Sequence, residues 1–152
     1  MPYVSTYFSP NRGADDTTIG FIDHCTTFVD VAIYALTHND IADALIRAKK
    51  RGVRVRVLID DLQARNAYSD DEALEVAGVE VRRDIQSGAM HNKFMVGDGR
   101  TGGMAVQTGS FNFSRNAAQR NAENFVVIRL QYVAKTYRQE FERLWEENAP
   151  PA

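Results

Sequence analysis

The sequence predicts an α/β fold: one domain with a mixed, largely parallel β-sheet flanked by helices on both faces. Three observations predict it. In the first half, short β-rich runs alternate with amphipathic helical patterns, the rhythm of parallel βαβ units with right-handed crossovers. In the second half, two β-rich runs flank "GRTGG" (Gly99 to Gly103) as a hairpin would, which adds antiparallel pairing to the same sheet. Finally, 152 residues, 44% hydrophobic and 25% charged, suffice for one core and differ from disordered, collagenous or disulfide-scaffold compositions. No repeat, low-complexity segment or linker divides residues 1–152, and "NAPPA" (148–152) is a tail.

"YVSTYFS" (Tyr3 to Ser9) opens as a strand closed by Pro10, Asn11 and Gly13. "DDTTIGFIDHCTT" fits a helix with Asp15 and Asp16 at its positive end; Ile19, Ile22 and Thr26 form a stripe, with Phe21 and Cys25 beside it. "FVDVAIYAL" is near-continuous, as a strand buried on both faces should be. The next helix is capped by Asn39 or Asp40, carries Ile41, Ala44, Leu45 and Ala48 at i, i+3, i+4, i+7, and stops at Gly52. "VRVRVLID" alternates as a strand. "SDDEALEVAGV" is a helix from Ser69 to Gly78, and "VEVRRD" a short strand. "MHNKFMVGD" and "MAVQTGSFNF" make the hairpin, "SRNAAQRNA" a short helix, and "ENFVVIRL" a strand. The last helix, "YVAKTYRQEFERLWEE", has Val133, Tyr137, Phe141 and Leu144/Trp145 on one stripe.

Net charge is −2, so nucleic acid binding would have to come from local patches. The single cysteine, Cys25, excludes an intrachain disulfide and a cysteine metal site. No apolar run approaches the ~20 residues of a membrane span. "MPYVSTYFSP" lacks the basic segment and apolar core of a secretory signal, which leaves the compartment open: the expectation is cytoplasmic for the chain as it stands, and periplasmic or secreted if a leader was removed.

Chemistry converges on the hairpin. Strand side chains alternate, so His91 and Lys93 point one way, with Phe94 and Val96 on the other side. Ser110 and Asn112 share a face, and Phe111 and Phe113 the opposite one. Pairing Gly97 with Met104 puts His91 opposite Ser110, which brings an imidazole, an ammonium, a hydroxyl and a carboxamide together, with Phe94, Phe111 and Phe113 anchoring the other face. These groups suit a phosphodiester: Lys93 supplies charge and donors, Ser110 and Asn112 neutral donors, and His91 a nucleophile or proton carrier. A working imidazole needs an acceptor on its second nitrogen. Asp98 lies roughly 23 Å along the strand with opposite parity and is assigned a structural role; Glu123, heading "ENFVVI", is the better acceptor.

"HNKFMVGD" has the form H-x-K-x(4)-D and is followed by "GSFNFS" and "ENFVVI". With these, and with "DIADALIRAKKRGVRVRVLID", nearly the whole chain resembles the phospholipase D superfamily, most closely its short, single-motif bacterial endonucleases of the Nuc type. The resemblance implies catalytic His91 and Lys93, phosphate-site residues Lys93, Ser110 and Asn112, Glu123 as partner of the imidazole, and Asp98 in support. The ten residues between Asp98 and Gly109 lengthen the hairpin tip relative to the compact nuclease form.

In-line displacement at phosphorus puts nucleophile and leaving group on opposite sides, and one imidazole cannot serve both. Larger superfamily members carry two motif copies; this chain carries one. The expectation is therefore a homodimer sharing its site across a two-fold axis, a phosphohistidine intermediate, and no cofactor or metal. DNA or RNA is the expected substrate. A phosphatidyl lipid is the alternative, favoured by an exposed apolar loop near the site, which the sequence does not reveal. A catalytically silent nucleic-acid-binding dimer is a third reading. His38, in "ALTHNDI", is either a loop histidine or part of a ligand crevice. The basic run "RAKKRGVRVR" is either a solvated, dipole-paired face or a backbone track. Arg82, Arg83, Arg115 and Arg120 would extend such a groove, and Tyr68 would flank the site.

Overall fold

A computed structural model describes residues 2–98 and 103–151. Along them run β1 (Val4–Phe8), α1 (Ala14–His24), β2 (Phe28–Ile33), α2 (Asn39–Lys50), β3 (Arg54–Asp60), α3 (Asp61–Ala64), α4 (Asp71–Val76), β4 (Glu80–Asp84), β5 (Lys93–Gly97), β6 (Ala105–Gly109), α5 (Arg115–Gln119), β7 (Asn124–Ile128) and α6 (Gln131–Glu147). The strands form one mixed sheet in the order β1-β7-β6-β5-β2-β3-β4. Parallel pairing is confined to β2–β3 and β3–β4; β1–β7, β7–β6, β6–β5 and β5–β2 are antiparallel. The sheet is mixed as expected, but its parallel part is the smaller. β1 leaves the βαβ series for the far edge, beside β7, where its outer residues stay exposed.

Side-chain alternation assigns the two faces. Val29, Val31 and Ile33 of β2 and Val55, Val57 and Ile59 of β3 pack with Ile22 of α1 and Ile41, Ala44 and Leu45 of α2. Phe28, Ala32, Leu58, Phe94, Val96 and Val106 meet Ala134, Phe141, Leu144 and Trp145 of α6 on the other face. A salt-bridge network lies under α6. Arg56, 2% exposed, bonds the fully buried Asp30 at 2.8 and 2.9 Å and reaches Glu142 at 2.5 and 3.2 Å. Its guanidinium lies 5.0 Å from the centre of the Phe141 ring, and Arg138 stands 3.7 Å from Asp30. Burial pushes the Asp30 carboxyl up against the pull of Arg56, while the Arg56 bonds hold Glu142 below its usual range.

Local details depart from the sequence pattern where tertiary contacts intervene. The buried stripe of α1 is Ala14, Thr18 and Ile22, and Thr26 lies beyond the helix, exposed. α2 takes His38 rather than Asn39 or Asp40 at its N-cap, and α4 takes Asp70 rather than Ser69. The short α3 was not expected; the Asp60 carboxylate caps it through the Gln63 N–H. Ser114 caps α5 through the Ala117 N–H, where the polar helix was expected to start.

The hairpin register differs by one from the expected pairing. Gly97 faces Ala105 and Phe94 faces Thr108. Phe94, Val96 and Val106 must all face α6, and only an even register sum puts Val96 beside Val106 on that side. The turn expected at "GRTGG" falls, over Gly99–Gly102, outside the described residues. No helix of the described residues is long and apolar enough to cross a membrane.

Candidate active site

The C-terminal ends of β2, β3, β4, β6 and β1 and the N-terminal ends of β5 and β7 meet at one edge of the sheet, because of the registers above. Such an edge gathers loop side chains from many strands, which is where α/β sheets build ligand crevices. His91 lies there, two residues before β5, and is exposed. Lys93 is the first residue of β5 and pairs with Ile33. The two side chains do point the same way: Lys93 Nζ stands 2.9 Å from His91 Nδ1 and 3.2 Å from Nε2. Burial pulls the Lys93 ammonium below its ordinary range, and the nearby Glu123 carboxylate opposes that pull.

The remaining predicted residues stand at the same edge of the sheet, after β6 and before β7. Ser110 sits between β6 and β7, its hydroxyl accepting the Asn124 N–H at 3.1 Å and donating to the Asn124 carbonyl at 3.4 Å. Asn112 accepts the Ala35 N–H through Oδ1 at 3.2 Å, which leaves its Nδ2 donors uncommitted among the described residues. Glu123 accepts from Asn121 Nδ2 at 3.1 Å, and no hydrogen bond joins it to His91 within the protomer. A Cβ on Gly109 would collide with the carbonyl oxygen of Asn124, so the glycine lets Ser110 approach β7. The expected phenylalanine backing divides: Phe94 faces α6, whereas Phe111 and Phe113 enter the opposite cluster, because the chain leaves β6 after Gly109.

Asp98 stands at the other end of β5. Its carboxylate takes bonds from the N–H groups of Thr26, Thr27 and Phe28 and from the Thr26 hydroxyl, tying β5 to the loop that enters β2. Burial raises its carboxyl, but these bonds outweigh burial and hold it below the ordinary range. The sign of the linkage follows. A depressed folded-state value means that the unfolded chain binds more protons, so this stabilisation is complete above roughly pH 4 and lost as pH falls through the folded value. Asp98→Asn should cost about 2 kcal/mol at pH 7 and flatten the acid limb of stability against pH, while kcat of the folded protein stays within about twofold. Urea melts across pH 2–7 with parallel assays check this; a large loss of kcat without loss of stability would contradict a structural role.

Sequence reasoning missed Tyr34, Asp60 and Gln63. The Tyr34 ring lies 4.6 Å from that of His91, and Lys93 Nζ is 5.3 Å from its centre. Tyr34 and Asp60 each stand at the C-terminal end of a parallel strand, in "IYAL" and "LIDD", and that position was the available signal.

His38 is a buried histidine at the α2 N-cap, its Nε2 3.0 Å from Asp15 Oδ2. The basic run cannot line the site: the end of α2 and the start of β3 lie at the opposite edge of the sheet, and Arg47, Arg51 and Arg54 pair with Asp23 and Glu80. Arg82 bonds the Trp145 carbonyl, and Arg83 pairs with Asp71 and Glu75. Arg115 stands 3.6 Å from Asp40, and Arg120 is exposed at the end of α5. Tyr68 is fully outward in the loop after α3. A cleft of about 490 Å³ opens at His91 between residues 84–92 and Glu140, Arg143, Leu144 and Glu147 of α6. Among the described residues, no group of three or more His, Cys, Asp or Glu is placed to hold a metal ion.

Residues 18–145 match the family model described as "Cardiolipin synthase, PLD-like domain". A mitochondrial cardiolipin hydrolase from Xenopus tropicalis is 39% identical over 122 residues, 80% of this chain and 56% of the relative. The chain thus spans little more than half of that relative's length. A phospholipase D from Rickettsia prowazekii is 35% identical over 147 residues, 96% of this chain and 70% of the relative. The crystal structure of Nuc, a phospholipase D family member from Salmonella typhimurium, superposes with a TM-score of 0.89 at 30% identity, covering 98% of this chain and 97% of that one. The family match over most of the chain and the fold shared end to end with Nuc agree with the H-x-K-x(4)-D motif, whose His91 and Lys93 meet at the sheet edge: the chain belongs to the phospholipase D superfamily.

Proposed function

We propose that the chain is a metal-independent phosphodiesterase that cleaves nucleic acid through a phosphohistidine at His91. The observation that carries the chemistry is His91 Nδ1 standing 2.9 Å from Lys93 Nζ, with His91 lining a cleft beside α6. His91 attacks phosphorus; the P–N bond forms as the P–O bond to the leaving group breaks. The leaving oxygen takes a proton from the imidazolium of His91 of the partner subunit. That ring then takes a proton from water as the water oxygen attacks phosphorus, and the P–N bond breaks. Lys93 and Asn112 Nδ2, with the Ser110 hydroxyl, bind the non-bridging oxygens, and Glu123 accepts the second ring N–H in the assembled dimer. One motif per chain requires the two-fold axis to pass through the site.

Nucleic acid is favoured over lipid by the end-to-end correspondence with Nuc, whereas the cardiolipin hydrolase is matched over 56% of its length. One observation favours phosphatidyl lipid: Phe8 at the end of β1, Leu62 in α3, Tyr68 in the loop after α3 and Ile85 just after β4 are all exposed. Incubation with plasmid DNA, RNA and cardiolipin-containing vesicles in excess EDTA separates the readings. Nucleic acid turnover unaffected by EDTA is expected; turnover of vesicles alone selects the lipid, and a gel shift without turnover selects the silent module. Mixing His91→Ala subunits with wild-type should lower activity as the square of the wild-type fraction. Heterodimers with full activity would contradict a shared site.

A further inference from the structure

Three residues outside the recognised motif close a circuit of contacts around His91. Asp60 Oδ1 accepts the Met90 N–H at 3.0 Å, and the Tyr34 N–H donates to the Asn92 carbonyl at 2.9 Å, so the residues before and after His91 are both pinned. The Tyr34 ring packs on the imidazole at 4.6 Å and 57°. Its hydroxyl accepts from Gln63 Nε2 at 3.1 Å, and the Gln63 N–H returns to Asp60 Oδ2 at 3.2 Å. We propose that Tyr34, Gln63 and Asp60 form a brace that fixes the His91 ring in its attacking orientation, with Tyr34 also stabilising the charge that ring acquires.

The need for a brace is geometric. His91 lies outside β5 and is exposed, and among the described residues its one hydrogen-bond partner is the tip of the Lys93 side chain. A nucleophile free to change rotamer loses much of its rate, since a misplacement of about 1 Å can cost on the order of 10²-fold. Asp60 is 5% exposed and gives one oxygen to each arm of the circuit, so movement of Tyr34 is resisted by the same carboxylate that holds Met90. As a His91 nitrogen bonds phosphorus, the ring becomes cationic. The Tyr34 ring, tilted 57° at 4.6 Å, then stands beside that charge, much as it already stands 5.3 Å from Lys93 Nζ.

The proposal rests on His91 being the nucleophile, and the test separates the two. Hydrolysis of bis(4-nitrophenyl) phosphate is measured for Tyr34→Leu, Tyr34→Phe, Gln63→Met and His91→Ala in the full chain, each corrected for folded fraction by thermal melts. Tyr34→Leu should lower kcat about 10–100-fold with KM within about twofold, and Tyr34→Phe, which keeps the ring, should stay within about fivefold of wild-type. In ¹H NMR the His91 ring protons should move downfield in Tyr34→Leu, where the ring current is lost, and hold their positions in Tyr34→Phe. Gln63→Met reads the same circuit from a half-buried position that tolerates substitution, and should lower kcat about threefold or more. The brace is overturned if Tyr34→Leu keeps its kcat within twofold, if Leu and Phe lose activity equally, or if the losses vanish on correction for folded fraction. Should Tyr34→Leu not fold, an unchanged kcat in Gln63→Met overturns it. An active His91→Ala instead removes the nucleophile on which the brace depends.

Discussion

His91→Ala is expected to lower kcat roughly 10⁴-fold or more, the scale on which deletion of a covalent nucleophile acts. Its melting temperature should stay within about 2 °C of wild-type, because the side chain is exposed and its polar and ring contacts among the described residues are to Lys93 and Tyr34. That separation of activity from stability is the informative part. A buried structural histidine such as His38, 1% exposed and bonded to Asp15, would show the reverse pattern. Residual activity within tenfold of wild-type would show that His91 is not the attacking group.

Arg56→Met is expected to be the most damaging single substitution for stability away from the site. It leaves Asp30 buried, with only Arg138 at 3.7 Å as a counter-charge, and takes from Glu142 both of its bonds to Arg56. Breaking a buried pair from one side costs about 3–5 kcal/mol, which for a chain of this size lowers the melting temperature roughly 10–15 °C. Asp30→Asn with Arg56→Met should cost less than the sum of the two, because no uncompensated charge then remains. Thermal and urea melts of the four species test this; a single-mutant loss below about 1 kcal/mol would show that the network contributes little. The network matters to the site because it seats α6, which forms one wall of the cleft at His91.

Local patterns were read well and long-range pairings less so. The helix over Ile41–Ala48 was legible because its spacing is complete within one segment, and so was Asp98, whose distance along a strand barred it from His91. β1 was misplaced among the parallel units because its partner, β7, is contributed from some 120 residues further along the chain. The one-residue register error had a local remedy: asking which of Phe94, Val96 and Val106 share the α6 face would have fixed the parity. In the site, the meeting of His91 and Lys93 was legible because strand alternation alone points both side chains the same way. Tyr34, Asp60 and Gln63 were not, since each reads as an ordinary strand-end or loop residue until the strands are set side by side. The basic run left two readings open for the opposite reason. Its charge is obvious in sequence, while its distance from His91 and its carboxylate partners are properties of the fold.

The central claim is covalent catalysis at His91, and its most direct test is rapid-quench mass spectrometry under alkaline conditions with a slowly hydrolysed phosphodiester and excess EDTA. A phosphoryl adduct should form on the peptide carrying His91, at a rate no slower than turnover, and should be absent from His91→Ala. Steady turnover with no adduct, or an adduct on any other residue, would contradict it.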